Sequence, residues 1–317
     1  MKRWLTAVVL ALFPAIALPQ GFPERPVRII VPLTPGGSPD TIARTVAAGL
    51  QGVWTQPVVV ENRPGGSQNI GADLVAKSAP DGHTWLLAPD NVFSVNPHLG
   101  KPPFDPLTDF VPVTLLARIQ FLLVVHPSLP VNSVQELVAY AKSRPGELNH
   151  GSSGNGSPQH LGAAMLQLMT GTKMNHVPYK GAAPAVADLL PGRIQVWIGA
   201  ANTLLPHIKE GKLKLLASSA PARFPNLGDT PTIGESVPGY ALDPWLGLFV
   251  PAKTPGEVVS RIHGEVVKIV NAPDLKAKLA AQGIMIETNS PAEFARAIRE
   301  DNARWGKVIK EAGIKGE

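Results

Sequence analysis

The sequence contains no cysteine. Disulfides, zinc–thiolate sites, iron–sulfur clusters, a cysteine nucleophile and a lipidated N-terminal cysteine are therefore excluded. Charge is also sparse: charged residues make up 17% of the chain, with a formal balance of +5. Lys2 and Arg3 supply two of those positive charges, and the rest are too few and too scattered for a nucleic-acid footprint. Beyond the N-terminus no apolar run is long enough to span a bilayer, since even Val111–Val125 is interrupted by Arg118. Familiar enzyme signatures fail one by one. Gly154 and Gly156 are followed by Gln159 where a dinucleotide fingerprint needs its third glycine. Gly211-Lys212 leads into Leu213, with Pro206 where a phosphate loop needs its first glycine. Asn155 breaks a nucleophile elbow around Ser153. The eight histidines show no H-x-x-x-H pair, so no metal site is indicated, and no cofactor is expected.

What is present begins with an export signal. Lys2 and Arg3 form a basic start, Trp4–Ala17 an apolar stretch too short to span a membrane, and Ala15-Ile16-Ala17 a cleavage site. Residues 1–20 read as a leader that is removed, which places the mature chain outside the cytoplasm, in the periplasm of a Gram-negative cell. The 317 residues exceed what one core usually supports, and 44% are hydrophobic, enough for two lobes. Thirty glycines and thirty-three prolines are spread along the chain and punctuate many short elements.

Strands and helices alternate. Val27–Val31, Val58–Glu61 and Thr84–Ala88 read as strands, with Ser38-Pro39-Asp40 as N-cap, N1 proline and first-turn acid of a helix carrying Ile42, Val46 and Leu50. Val113–Ala117 and Phe121–Val125 are apolar runs suited to crossing between lobes. A second series follows: a helix from the Ser133/Glu136 capping box to about Ser143, a strand at Leu148–His150, and a helix opened by Ser157-Pro158 with Leu161, Met165 and Leu168 on one face. Asn175–Pro178, Ile194–Ile198, Leu213–Ser218 and Leu246–Val250 are further strands. The tail is helical, with capping boxes at Thr254/Glu257 and Ser290/Glu293 and a stripe of Val258, Ile262, Val266 and Ile269. The alternation implies parallel sheets covered on both faces.

In such sheets ligands bind where strand ends lead into helices. Four loops there are rich in glycine, hydroxyls and amides: 34–38, 63–69, 152–157 and 179–182. Together they suit an anion held by backbone N–H groups and helix N-termini. Tight turns are the plainer reading of any one of them. His160 reads as a capping or pocket-wall residue, Asp40 and Asp73 as helix-dipole partners with Asp40 a possible ligand contact, and Trp85 and Trp245 as core.

Several stretches resemble the solute-binding proteins of tripartite tricarboxylate transporters, the Bug receptors. They are Pro32–Asp40, Val58–Gly66, Ala79–Thr84, Gly151–Leu161 and Tyr179–Ala185. The resemblance implies a bilobed venus-flytrap fold, type II-like, of two α/β lobes joined by crossover strands. Lobe 1 would comprise 21–119 and 222–317, and lobe 2 120–221. It also implies capture of a small carboxylate between the lobes, whether a di- or tricarboxylate, an aromatic acid or a related organic acid. A monomer is expected, with permease subunits as partners and a sensor kinase as a further one to consider. Carried over by motif, the ligand-binding residues are Thr34, Gly36, Gly37, Ser38 and Asp40, then Gly66, Ser67, Gln68 and Asn69. In the second lobe they are Ser152, Ser153, Asn155, Ser157, His160, Tyr179, Lys180, Ala200 and Asn202. Many family members carry an aspartate after the strand equivalent to Ile194–Ile198, where this chain has Gly199-Ala200-Ala201-Asn202. Its loss is expected to open space and to disfavour an amino-acid ligand. An enzyme is not expected. The alternatives are a secreted serine hydrolase using the 152–157 loop, and a binding subunit for a sensor system.

Overall fold

The computed structural model describes residues 21–312, so the expected leader at 1–20 lies outside the described residues. Among the described residues, eleven strands form two sheets. The first contains β1 (Val27–Val31), β2 (Val58–Asn62), β3 (Thr84–Pro89), β4 (Phe110–Ile119), β10 (Trp245–Pro251) and β11 (Ile284–Ile286), in the order β11-β4-β10-β3-β1-β2. The second contains β5 (Phe121–Val125), β6 (Asn149–Ser152), β7 (Asn175–Pro178), β8 (Val196–Ala200) and β9 (Lys214–Ser218), in the order β7-β6-β8-β5-β9. The chain enters the second sheet across one residue, Gln120. Its N–H donates to the Gly283 carbonyl at 2.8 Å, and its carbonyl accepts from the Ala201 N–H at 2.8 Å.

The expected parallel pairing is found where a helix links two strands: β1 with β2 and β3, and β6 with β7 and β8. Strands β4, β10, β11 and β5 pair antiparallel with their neighbours. The chain leaves the first sheet along β4 and returns along β10, so those two strands must run past each other in opposite directions. Both sheets are covered by helices, which explains why β1 is apolar almost throughout: Val27, Ile29, Ile30 and Val31 are fully buried.

The helices are α1 (Ser38–Gln51), α2 (Asn69–Ala76), α3 (Asn91–Ser94), α4 (Asn96–Leu99), α5 (Val134–Ser143), α6 (Pro158–Thr170), α7 (Ala182–Leu189), α8 (Ala201–Lys209), α9 (Ile233–Ser236), α10 (Gly256–Val270), α11 (Pro273–Ala280) and α12 (Pro291–Ala312). Helix α1 buries Ile42, Val46 and Leu50 at i+4 spacing. Helix α12 lays Phe294, Ile298, Trp305 and Ile309 along one buried face. Burial of the first two helps fix the helix over the first sheet, each by about 1.5–3 kcal/mol.

The Ser133 and Ser290 capping hydroxyls accept from the Glu136 and Glu293 N–H groups at 3.1 and 3.3 Å. Two other caps differ from expectation. Ser38 is the first residue of α1 rather than its cap. Extended Gly37 takes that place, its carbonyl closing the first turn with the Thr41 N–H at 3.0 Å. Thr254 makes no cap either: its hydroxyl donates to the Pro251 carbonyl at 2.7 Å, and α10 begins after Pro255. On α6, Leu161 and Leu166 face the core, whereas Leu168 is 61% exposed and leaves the expected stripe.

Candidate functional site

The loops after β1, β2, β6, β7 and β8 converge on one cavity of about 50 Å³ between the two sheets. Its wall includes residues at the starts of four helices of eight or more residues: Gly37, Ser38 and Pro39 at α1, Gln68 before α2, Pro158 and Gln159 at α6, and Ala182 at α7. Ala200, which precedes α8, makes a fifth. The first N–H groups of a helix have no partner within it, and the helix dipole adds positive partial charge. Five such ends around one cavity favour an anion without any ionisable side chain on the wall.

The segment Gly65–Gln68 is sharply bent beside this cavity. All four residues have positive φ, at 117°, 55°, 50° and 77°, and the last two, Ser67 and Gln68, are side-chain-bearing residues for which this conformation is costly. The bend places Gln68, 2% exposed, against the cavity, with neither its amide nitrogen nor its amide oxygen bonded to protein. Thr34 Oγ1 is also buried and unpartnered. Buried polar atoms in native proteins nearly always have a partner, so these three atoms on the wall are available to bond whatever enters the cavity.

The lobes already touch. Ser38 Oγ donates to Asn202 Oδ1 at 2.7 Å across the cleft. Gly181 sits so close to the first loop that an added Cβ would lie 2.0 Å from Thr34 Oγ1. Gly156 packs in the same way on Leu99 and Asn96.

Of the residues expected from sequence, Thr34, Gly37, Ser38, Gln68, Ser153 and Ala200 lie on the cavity wall. Ser67, Asn69 and Asn155 line a separate outer hollow beside Asn96 and Lys101. The others stand outside the wall and most are held by protein. Asp40 accepts from the Gly36 N–H at 3.1 Å and from Arg44 at 3.0 Å. Burial opposes its charge, but these bonds outweigh that and hold its pKa below the usual value. Ser157 caps α6, its hydroxyl accepting from the His160 N–H. His160 Nδ1 accepts from the Gly156 N–H at 3.1 Å. Tyr179 donates to Asp188 at 2.8 Å, and Lys180 is exposed. Gly36 and Gly66 shape their turns, and Asn202 is the cross-cleft acceptor for Ser38.

The expected opening at Gly199 is not there. A Cβ on Gly199 would lie 1.7 Å from Trp197 Nε1, because residues two apart on a strand share a face and the indole fills that space. The serine chemistry finds no support either. Ser152 lies 2.6 Å from His176 Nε2, but it is fully buried and absent from the cavity wall. His176 stacks on His160 at 3.9 Å and on His150 at 5.0 Å. Burial first, then the neighbouring histidines, push its pKa down to about 3, which makes it a poor base at neutral pH. Ser153, which does face the cavity, donates to Gln159 Oε1 at 2.8 Å.

Sequence reasoning missed the apolar half of the wall: Leu33, Pro89, Ile119, Phe121, Pro158, Ala182, Pro244 and Leu246, together with Trp245, which had read as core. It also missed Gln159. The available signal was position, since Pro89, Ile119 and Trp245 stand at ends of strands that frame the loops.

A family model described as the tripartite tricarboxylate transporter family receptor matches residues 42–314. Protein BugT of Bordetella pertussis (strain Tohama I) is 35% identical over 300 residues, covering 93% of this chain and 91% of its own. The solved structure of R. palustris Rpa4515 with adipate superposes with a TM-score of 0.91 at 38% identity, covering 94% of this chain and all of that one. MatC (Rpa3494) from Rhodopseudomonas palustris, with bound malate, superposes with a TM-score of 0.86 at 30% identity, covering 91% of this chain and all of that one.

Proposed function

The chain belongs to the tripartite tricarboxylate transporter receptor family, and from that premise we propose that it is a periplasmic receptor that captures a small carboxylate between its lobes and delivers it to a membrane permease. The observation that carries the ligand assignment is the convergence of five helix N-termini on one cavity, with unpartnered Gln68 and Thr34 side chains at the same place. Bonds from N–H and O–H dipoles to a carboxylate are charge-assisted, and several of them suffice for micromolar binding, about −8 kcal/mol, which still permits release.

Capture is closure. Lobe 1 comprises residues 21–119 and 222–317 and lobe 2 residues 120–221, and they turn about Gln120 and the return segment. A carboxylate bonded by both lobes favours the shut form by its differential affinity for the two states. Delivery requires a protein outside the cytoplasm. Among the described residues no helix is long and apolar enough to cross a membrane, and the leader at 1–20 is removed on export. A periplasmic protein whose intact mass retained Met1–Ala17 would overturn that processing step.

The test of the central claim is a thermal-shift and calorimetric panel of carboxylates, with small-angle scattering on any that bind. Stabilisation without turnover, together with a smaller radius of gyration, is the expected result. Consumption of a test ester, or binding with no compaction, would contradict the receptor mechanism.

A further inference from the structure

The cavity wall carries two side-chain carboxamides, Gln68 from the first lobe and Gln159 from the second, and no Asp, Glu, Lys, Arg or His beside them. Gln159 is the second residue of α6 and is 7% exposed. The 152–157 loop turns on Gly154 and Gly156, with φ of +126° and +70°. That turn returns Ser153 to a residue six positions later, where its hydroxyl donates to Gln159 Oε1 at 2.8 Å. Among the described residues this is the one protein bond of the Gln159 amide. Its nitrogen has no partner and, unlike the Gln68 amide, remains accessible.

The backbone points to the same residue. At the start of α6 the Ser157 N–H donates to the Gly154 carbonyl at 3.1 Å, and Pro158 has no N–H. The His160 N–H donates to the Ser157 hydroxyl at 3.4 Å, and the Leu161 N–H to the Ser157 carbonyl at 3.0 Å. Among the described residues nothing accepts from the Gln159 N–H, so it is the donor this helix end leaves open, where the dipole favours an anion. An amide can present either of its ends. With Ser153 donating to the oxygen, the nitrogen is left for a ligand; turned round, the amide would set its oxygen against a carboxylate, lone pair to lone pair.

Resting on the carboxylate assignment above, we infer that Gln159 is a ligand contact of the second lobe, donating from its side-chain nitrogen to the carboxylate, and that Ser153 is a positioning residue that acts through it by holding the amide oxygen. The serine of the 152–157 loop that faces the cavity thus serves the ligand at one remove, through a glutamine on the helix that follows.

Benzoate, hexanoate, malate and adipate are titrated by calorimetry into the wild-type protein, and the tightest binder is carried into the variants, each checked for folding by thermal melting. Gln159→Met keeps the length of the side chain and removes its donors, so affinity should fall about tenfold. Gln159→Glu sets a second carboxylate against the ligand, and the two can share the site only by taking up a proton. Its affinity should fall by about tenfold or more at pH 7.5 and recover as the pH is lowered to about 6. Titrations in buffers of different ionisation enthalpy should then show an uptake of about one proton per ligand beyond that of the wild type. A side chain that merely packs would show no such uptake. Ser153→Ala should weaken binding about threefold to tenfold in the wild type and add nothing in the Gln159→Met background, because its effect runs through the amide. Wild-type affinity in folded Gln159→Met, or no extra proton uptake in Gln159→Glu, would overturn the contact and leave the receptor assignment standing. Gln159→Met decides if Gln159→Glu fails to fold or to bind. Equal losses from Ser153→Ala in both backgrounds would overturn the positioning role. If none of the four acids binds the wild type, the carboxylate assignment fails and this inference with it.

Discussion

Replacing Gly181 with alanine tests closure at its tightest point. The residue has φ +149°, and a Cβ placed on it would lie 2.0 Å from Thr34 Oγ1, 3.2 Å from Thr34 Cβ and 3.3 Å from the Thr34 nitrogen. An ordinary contact begins near 3.4 Å, so with Thr34 unmoved the lobes must stay apart by about 1.4 Å. The 2.7 Å bond from Ser38 to Asn202 then stretches past hydrogen-bonding range, at a cost of about 0.5–1.5 kcal/mol. At least one charge-assisted bond from the far lobe to the carboxylate is lost with it, about 1.5–3 kcal/mol. If Thr34 rotates instead, its unpartnered hydroxyl turns away and a ligand bond is lost by that route. The expected loss of affinity is about 2–4 kcal/mol, roughly 30- to 900-fold, read by calorimetry with whichever carboxylate binds the wild type. Scattering should show less compaction on saturation. Gly154→Ala is the control: it also has positive φ, +126°, but the nearest atom to its Cβ is the Tyr179 carbonyl oxygen in the same lobe, at 3.5 Å. Adding Thr34→Ala to Gly181→Ala removes the 2.0 Å contact and should restore much of the compaction. A folded Gly181→Ala protein with wild-type affinity and wild-type compaction would refute the reasoning.

Gln68→Leu removes two buried polar atoms that have no protein partner, so ligand-free stability should hold or rise by about 1 kcal/mol while carboxylate affinity falls roughly tenfold or more; a denaturant titration beside calorimetry checks both, and unchanged affinity would remove Gln68 from the site. Ser157→Ala deletes the cap of α6 and should cost about 1 kcal/mol of stability while changing affinity less than threefold, since Ser157 lies off the cavity wall; a larger affinity loss at equal folding would make it a ligand contact. Acid should weaken the fold through the histidine stack. Burial, then neighbouring His160, takes His150 down to about 4, and burial with both neighbours takes His176 to about 3. The unfolded chain binds protons at these rings from about pH 6.5 downward while the folded chain does not, so stability falls as pH drops from about 6.5, to about 4 through His150 and to about 3 through His176, and is unaffected by them above that window. For His150 alone the loss at pH 5 is on the order of 2 kcal/mol. Thermal melts between pH 7 and 5 in wild type and His150→Gln check it, and equal pH slopes in the two proteins would refute it.

Much of this molecule is legible in the chain because its signals are local. Val27–Val31 is apolar except for Arg28 and so reads as a largely buried strand. Ser133 with Glu136 and Ser290 with Glu293 carry their own caps, and the loops around Gly36, Gly65 and Gly154 advertise backbone that bends toward a ligand. The failures share a different property. Ser38 has the composition of a cap, but its partner is Asn202, 164 residues away, and nothing near Ser38 records that. Trp245, Ile119 and Phe121 are hydrophobic residues at strand ends, and the pattern that buries a side chain in a core is the same one that lines an apolar pocket. Gly199 was closer to legible: period two puts it on the face of Trp197, so glycine beside tryptophan signals packing rather than open space.

The polar loops make the deepest version of this point. Sequence marks Thr34, Ser38, Asp40, Gln68, Ser152, Ser153, Ser157 and Asn202 alike, as hydroxyls, amides and an acid in glycine-rich turns. Folding then divides them by partner. Asp40 answers Gly36 and Arg44, Ser38 answers Asn202, Ser153 answers Gln159, and Ser152 lies against His176. Each bond fixes a side chain in place and removes it from the set that must find a ligand. On the cavity wall, the buried side-chain atoms left unpartnered are those of the Gln68 amide and the Thr34 hydroxyl, a small remainder. That remainder, with the helix ends around it, is the chemistry the proposed carboxylate would bond to.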